Sequence, residues 1–173
     1  MANMKTNFFY LLLPIIFILY NMEELKRFNE LKAAYYSNFF KKIIDRFVFK
    51  NAIIILSVIV SVVFILNFYM RNDFLGYASK IIFFAVLINA IQHIVLSSIN
   101  KKMLPGSYTS LFLIIPYSII SIFTKNINID FFSHGFFILI LTSALAMIFA
   151  TFLSLSVGLV LKTLFCHPTQ MDK

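Results

Sequence analysis

Five apolar runs separated by polar turns set the layout of the chain. They cover about 8–25, 52–70, 81–99, 108–123 and 136–161, and each approaches or exceeds the roughly 20 apolar residues that a helix needs to cross a bilayer. Between the first two runs, Phe28, Leu31, Tyr35, Phe39, Ile43 and Phe47 recur at three- and four-residue spacing through a segment otherwise rich in Lys and Arg. That period predicts an amphipathic helix over about 28–48, its aromatic face on a membrane surface and its basic face toward anionic headgroups. Pro14 predicts a bend in the first helix, and Pro105-Gly106 marks a turn before the fourth. Ala144, Ala146 and Gly158 suit the last helix to close packing. The pattern therefore predicts an all-α integral membrane protein, a five-span helical bundle with a basic amphipathic interfacial helix between spans 1 and 2. A single membrane domain covers 1–173.

Composition strengthens this reading. The chain is 61% hydrophobic and 13% charged, with 22 Phe and a mean hydropathy of +0.90, far from the quarter-charged average of soluble domains. The first run has a basic residue before it, Lys5, but no small-x-small cleavage site after it, so it reads as an uncleaved helix. The single Cys166 has no partner for an internal disulfide, and Cys166-His167 is half a metal site at most. No nucleic-acid-binding module is present, and the lipid bilayer is the expected neighbour of the basic segment.

Charge then sets orientation. With the N-terminus outside and the C-terminus cytoplasmic, Lys5, Arg71, Lys80 and Lys125 lie outside and the rest of the 15 Lys and Arg lie inside, as the positive-inside rule asks of a multi-pass protein of the cell membrane.

One set of polar residues stands out against the hydrocarbon. Tyr20, Glu23 and Glu24 close the first run, while Asn89, Gln92, His93 and Ser97 form a stripe in the third. In the five-span orientation both sets lie in the cytoplasmic half of the membrane. Ionisable groups there are costly unless paired, which makes them a candidate site. Tyr20, Glu23, Glu24 and His93 are the candidate catalytic residues, with a Glu as general base and Tyr20 as a donor to developing charge. Glu23, Glu24 and His93 are also the candidate ligands for a divalent metal. Gln92 and Ser97 read as hydrogen-bonders between helices.

The order of these parts resembles the bacterial membrane proteins named for an HXXEE motif. The matching stretches are Tyr20-Asn21-Met22-Glu23-Glu24, Asn89-Ala90-Ile91-Gln92-His93 and Pro105-Gly106-Ser107-Tyr108-Thr109, and the likeness covers about 8–160. Tyr20 stands where the motif has His, and Asn89 stands where a second His is expected, so the chain reads as a degenerate member. The resemblance implies architecture more than chemistry, because the family carries no established activity. Two functions follow as expectations: an accessory protein of membrane transport or peptide immunity, with a transporter or another membrane protein as partner, and a metal-dependent enzyme acting on a lipid-like substrate.

Overall fold

The computed structural model describes residues 8–35, 38–70, 72–124 and 134–165. Every regular element among them is a helix. A 3-10 turn at Phe8–Leu11 leads into α1, Leu12–Lys26. Two short helices follow, α2 at Phe28–Tyr35 and α3 at Asn38–Ile43. Then come α4, Arg46–Met70, and α5, Asp73–Ile99. The apolar helix α6 spans Ser107–Phe123, and α7 spans His134–Phe165. The helices α4, α5 and α7 are long and apolar enough to cross a membrane, and their outward faces carry exposed Ile54, Val58, Val62, Leu141, Ile148 and Phe152.

Helix starts explain where these elements exceed the apolar runs. Asp45 accepts a hydrogen bond from the Val48 amide at 2.9 Å, and Asn72 accepts one from the Phe74 amide at 2.8 Å. These side chains satisfy amides that a first turn leaves without partners, so α4 begins at Arg46 and α5 at Asp73, well ahead of positions 52 and 81. Pro14 lies in the first turn of α1, just after the 3-10 turn, where its missing N–H is no loss. Pro116 has the larger effect. It follows a π-helical turn at Ser110–Ile114, consistent with a proline ring crowding the carbonyl one turn earlier.

The expected surface helix over 28–48 is interrupted at Ile44-Asp45, and its last residues belong to α4. Phe28 and Leu31 are buried with Ile44, Val48, Phe49 and Ile53, and Leu155 and Leu159 of α7 close that cluster. Their apolar face is therefore covered by the protein itself, while Phe40 and Phe47 remain exposed. Lys5, Arg71, Lys125, Cys166 and His167 lie outside the described residues.

A second cluster joins the other helices. Leu13, Phe17 and Tyr20 of α1 pack with Val60 and Phe64 of α4, Phe83, Val86 and Ala90 of α5, and Ile114 and Tyr117 of α6. Long helix α7 runs against both α4 and α5. At one crossing the backbones nearly touch, since a Cβ on Gly158 would lie 2.6 Å from the Val48 carbonyl oxygen. Lys162 and Asp45 form an ion pair of 2.6 Å between α7 and the start of α4. Gly158→Ala should force these helices apart and destabilise the protein by about 1–3 kcal/mol. Thermal unfolding in detergent measures this, and an unchanged melting temperature would contradict so close a crossing.

Candidate functional site

Residues four apart on a helix share a face, whereas adjacent residues point about 100° apart. In the last turns of α1 this geometry places Tyr20 and Glu24 together and turns Glu23 elsewhere. On α5 the same rule aligns Asn89, His93 and Ser97 toward α1 and α6, while Gln92 is exposed on another face. The loop after α5 returns to the site through buried Leu104, Pro105 and Gly106.

Tyr20, Glu24 and His93 meet in a buried triangle. The Tyr20 hydroxyl donates to Glu24 Oε1 at 2.5 Å and lies 2.6 Å from His93 Nε2. Glu24 Oε1 and His93 Nε2 are 3.1 Å apart. Asn89 Nδ2 donates to the Tyr20 hydroxyl at 2.9 Å. The other imidazole nitrogen, Nδ1, lies 2.7 Å from the Pro105 carbonyl oxygen. A carbonyl only accepts, so Nδ1 carries a proton and donates it.

That assignment fixes the number of protons in the triangle. The single hydroxyl proton of Tyr20 can satisfy one edge. A second proton, on Nε2 or on the Glu24 carboxyl, is needed for His93 to bond rather than present a lone pair to two oxygens. In either placement the trio is neutral overall. Neutrality matters here because an unpaired charge in so apolar a setting is strongly disfavoured.

Glu23 has a different task. Its Oε1 accepts from the Gly106 amide at 2.9 Å, and its Oε2 accepts from the Thr109 amide at 2.8 Å and the Thr109 hydroxyl at 2.6 Å. A carboxylate thus meets the amides that open α6, where the helix dipole favours negative charge. The candidate metal set is thereby divided. Both Glu23 oxygens are engaged by N–H and O–H donors, and Glu24, His93 and Tyr20 contact one another at hydrogen-bond distances. Among the described residues no three His, Cys, Asp or Glu side chains gather as ligands.

Gly106 closes the site. Its φ of +83° lies in the left-handed region, and a Cβ there would come within 2.8 Å of Tyr20 Cε2, 2.9 Å of His93 Nδ1 and 3.2 Å of Glu24 Oε1. Glycine is required twice over, by conformation and by space. Below it, Ser97 Oγ accepts from the Leu104 amide at 2.9 Å and bonds to Ser107 Oγ at 2.5 Å, while Ser107 Oγ donates to the His93 carbonyl at 3.1 Å.

Sequence reasoning missed several partners. Asn21 is buried and donates to Ser57 Oγ at 2.9 Å, tying α1 to α4. Arg27 grips Glu30 with two bonds, of 3.1 and 2.8 Å, and donates to the Met103 carbonyl at 2.8 Å. Lys102 adds an ion pair to Glu30 at 3.0 Å. The three-residue spacing of Arg27 and Glu30 was a usable signal, whereas the return of Lys102 and Met103 depends on tertiary structure. Hydrogen bonds from Arg27 and then Lys102 hold the Glu30 carboxyl down at about 2.

A model of the family described as a protein of unknown function with HXXEE motif matches residues 11–121. The matched region runs from the start of α1 into α6 and includes every residue of the triangle and its clamp. No curated protein and no solved structure matches the chain.

Two measurements probe this geometry. Gly106→Ala should displace the loop from His93 and destabilise the protein by about 1–3 kcal/mol, read as a lower melting temperature; an unaltered one would mean the loop closes without glycine. Because the folded Glu30 carboxyl sits below its unfolded value near 4.3, its contribution is complete above that value and fades as pH falls toward about 2. The melting-temperature gap between wild type and Glu30→Gln should therefore narrow from about pH 5 downward, and a constant gap would contradict the clamp.

Proposed function

The chain belongs to the family of proteins of unknown function with an HXXEE motif, and from that premise we propose a multi-pass membrane protein that works by binding rather than turnover. In this reading it is an accessory protein of membrane transport or peptide immunity in a bacterial cell membrane. Tyr20, taken as the residue at the motif's His position, is the centre of a polar lock between α1, α5 and the loop before α6. The observation that carries the reading is the mutual engagement of the Tyr20 hydroxyl, Glu24 Oε1 and His93 Nε2, with Asn89 bonded to the hydroxyl and the Pro105 carbonyl to the other imidazole nitrogen. A cleft beside α5 and α6 is lined by none of the three.

Five crossings belong to the same proposal. The turn at Phe8–Leu11 extends α1, and a helix such as Ser107–Phe123 is about 25 Å long at 1.5 Å per residue, close to the hydrocarbon thickness. The excess of Lys and Arg in segment 26–50 supports a cytoplasmic placement of α2 and α3, with the N-terminus outside and the C-terminus inside. A transporter or another membrane protein is the partner that the exposed apolar faces of α4 and α7 would suit.

A second reading is favoured by one feature. The His93 imidazole is oriented by a backbone carbonyl on Nδ1, with Nε2 against Tyr20 and Glu24, as a general acid–base pair would need. That reading makes the site the acid–base centre of an enzyme acting on a lipid-like substrate, with a divalent metal as its expected cofactor.

Stability separates the two. A lock loses hydrogen bonds in Tyr20→Phe and leaves Glu24 and His93 incompletely paired, for a loss of about 1–3 kcal/mol and a melting temperature several degrees lower. An active site trades stability for chemistry, so the same change would leave stability unaltered or raise it. Thermal unfolding of wild type and Tyr20→Phe in one detergent decides between them.

A further inference from the structure

The C-terminal turn of α5 and the first turns of α6 enclose a cleft of about 290 Å³ lined by Ile94, Ser97, Ser98, Lys101, Lys102, Met103, Ser107 and Leu111. Its chemistry changes along its length. The walls are apolar at Ile94, Met103 and Leu111, while the lining contains two lysines and no carboxylate. The lysines follow Asn100, the residue that caps the end of α5, at the level where an apolar helix gives way to polar loop. One carboxylate is near: Glu30, which Arg27 already grips and Lys102 meets at 3.0 Å.

Lys101 is held in an unusual backbone state. Its φ is +50°, the sole positive value on a non-glycine among the described residues. It stands at the position after the helix end where Gly or Asn is normally found, with its amide bonded to the Ser98 carbonyl at 3.2 Å and the next amide to the Ser97 carbonyl at 3.1 Å. A lysine there is conformationally worse than glycine, and nothing in the turn itself uses its ammonium group. Strain of this kind is a pointer toward function.

We propose that this cleft binds one anionic phospholipid, its phosphate held by Lys101, Lys102 and the exposed Ser98 hydroxyl, and part of an acyl chain lying against Ile94, Met103 and Leu111. The charge sequence suits such an amphiphile, cationic at headgroup level and apolar below it. The lining includes buried Ser97 and Ser107, whose hydrogen bonds reach the His93 carbonyl, so the lipid would sit beside the buried triangle without entering it. This site does not depend on whether the triangle is a lock or a catalyst.

Native mass spectrometry of the full chain in neutral detergent tests the proposal, with phosphatidylglycerol, phosphatidylcholine and inorganic phosphate as probes. One phosphatidylglycerol should be retained per chain in preference to phosphatidylcholine. Lys101→Gly should weaken that retention about fivefold, the effect of one cation near a membrane surface, while raising the melting temperature because glycine relieves the positive φ. Loss of binding with a gain in stability cannot come from unfolding. Leu111→Trp should also reduce retention by filling the apolar part. Equal retention of both lipids, displacement of phosphatidylglycerol by an equal concentration of inorganic phosphate, or unchanged retention in both variants would each overturn it.

Discussion

The grip of Glu23 on the start of α6 is the constraint on which the rest of the site depends. Its carboxylate collects the Gly106 amide together with the amide and hydroxyl of Thr109, and so anchors the loop that comes back from α5. With the loop held there, the Pro105 carbonyl faces His93 Nδ1. The imidazole is then turned so that Nε2 meets Tyr20 and Glu24. Each step fixes the orientation of the next group, from a helix N-terminus through one carbonyl to a proton-sharing triangle. Hydrogen bonds to a charged acceptor are roughly twice as strong as neutral ones, which suits Glu23 to the first position in the series.

The molecule is held together differently on its two sides. Where α1, α5 and α6 meet, specific polar contacts decide the geometry. Where α4 meets α7, shape decides it, through Gly158 against the Val48 backbone and apolar side chains in between. Burial from water cannot drive helices together within lipid, so close packing and internal hydrogen bonds take over that role. Both devices appear here, polar contacts concentrated where α1, α5 and α6 meet and close packing where α4 meets α7, with Asn21 and Ser57 linking the two sides.

Much of this was legible in the residues. Spacing on α1 and α5 was enough to put Tyr20 beside Glu24 and to align Asn89, His93 and Ser97 on one face. The separation of Glu23 from Glu24 was not, because periodicity shows that neighbours point apart but not what lies in each direction. Phe28 and Leu31 show a related ambiguity. A helical period identifies their apolar face, yet a lipid surface and the flanks of α4 and α7 satisfy that face equally well. Helix starts were more readable than the apolar runs suggested, since Asp45 and Asn72 are ordinary capping residues. Pro105 contributes through its backbone carbonyl, which no side-chain pattern records.

The partners of Glu23 lie 83 and 86 residues further along the chain, and this separation has a consequence for biogenesis. When α1 is synthesised, neither Gly106 nor Thr109 has been made, so the Glu23 carboxylate lacks the donors that meet it in the folded protein. Synthesis of the start of α6 supplies those donors. The polar end of α1 can therefore take up its final contacts only after the chain has been made through its Pro-Gly turn.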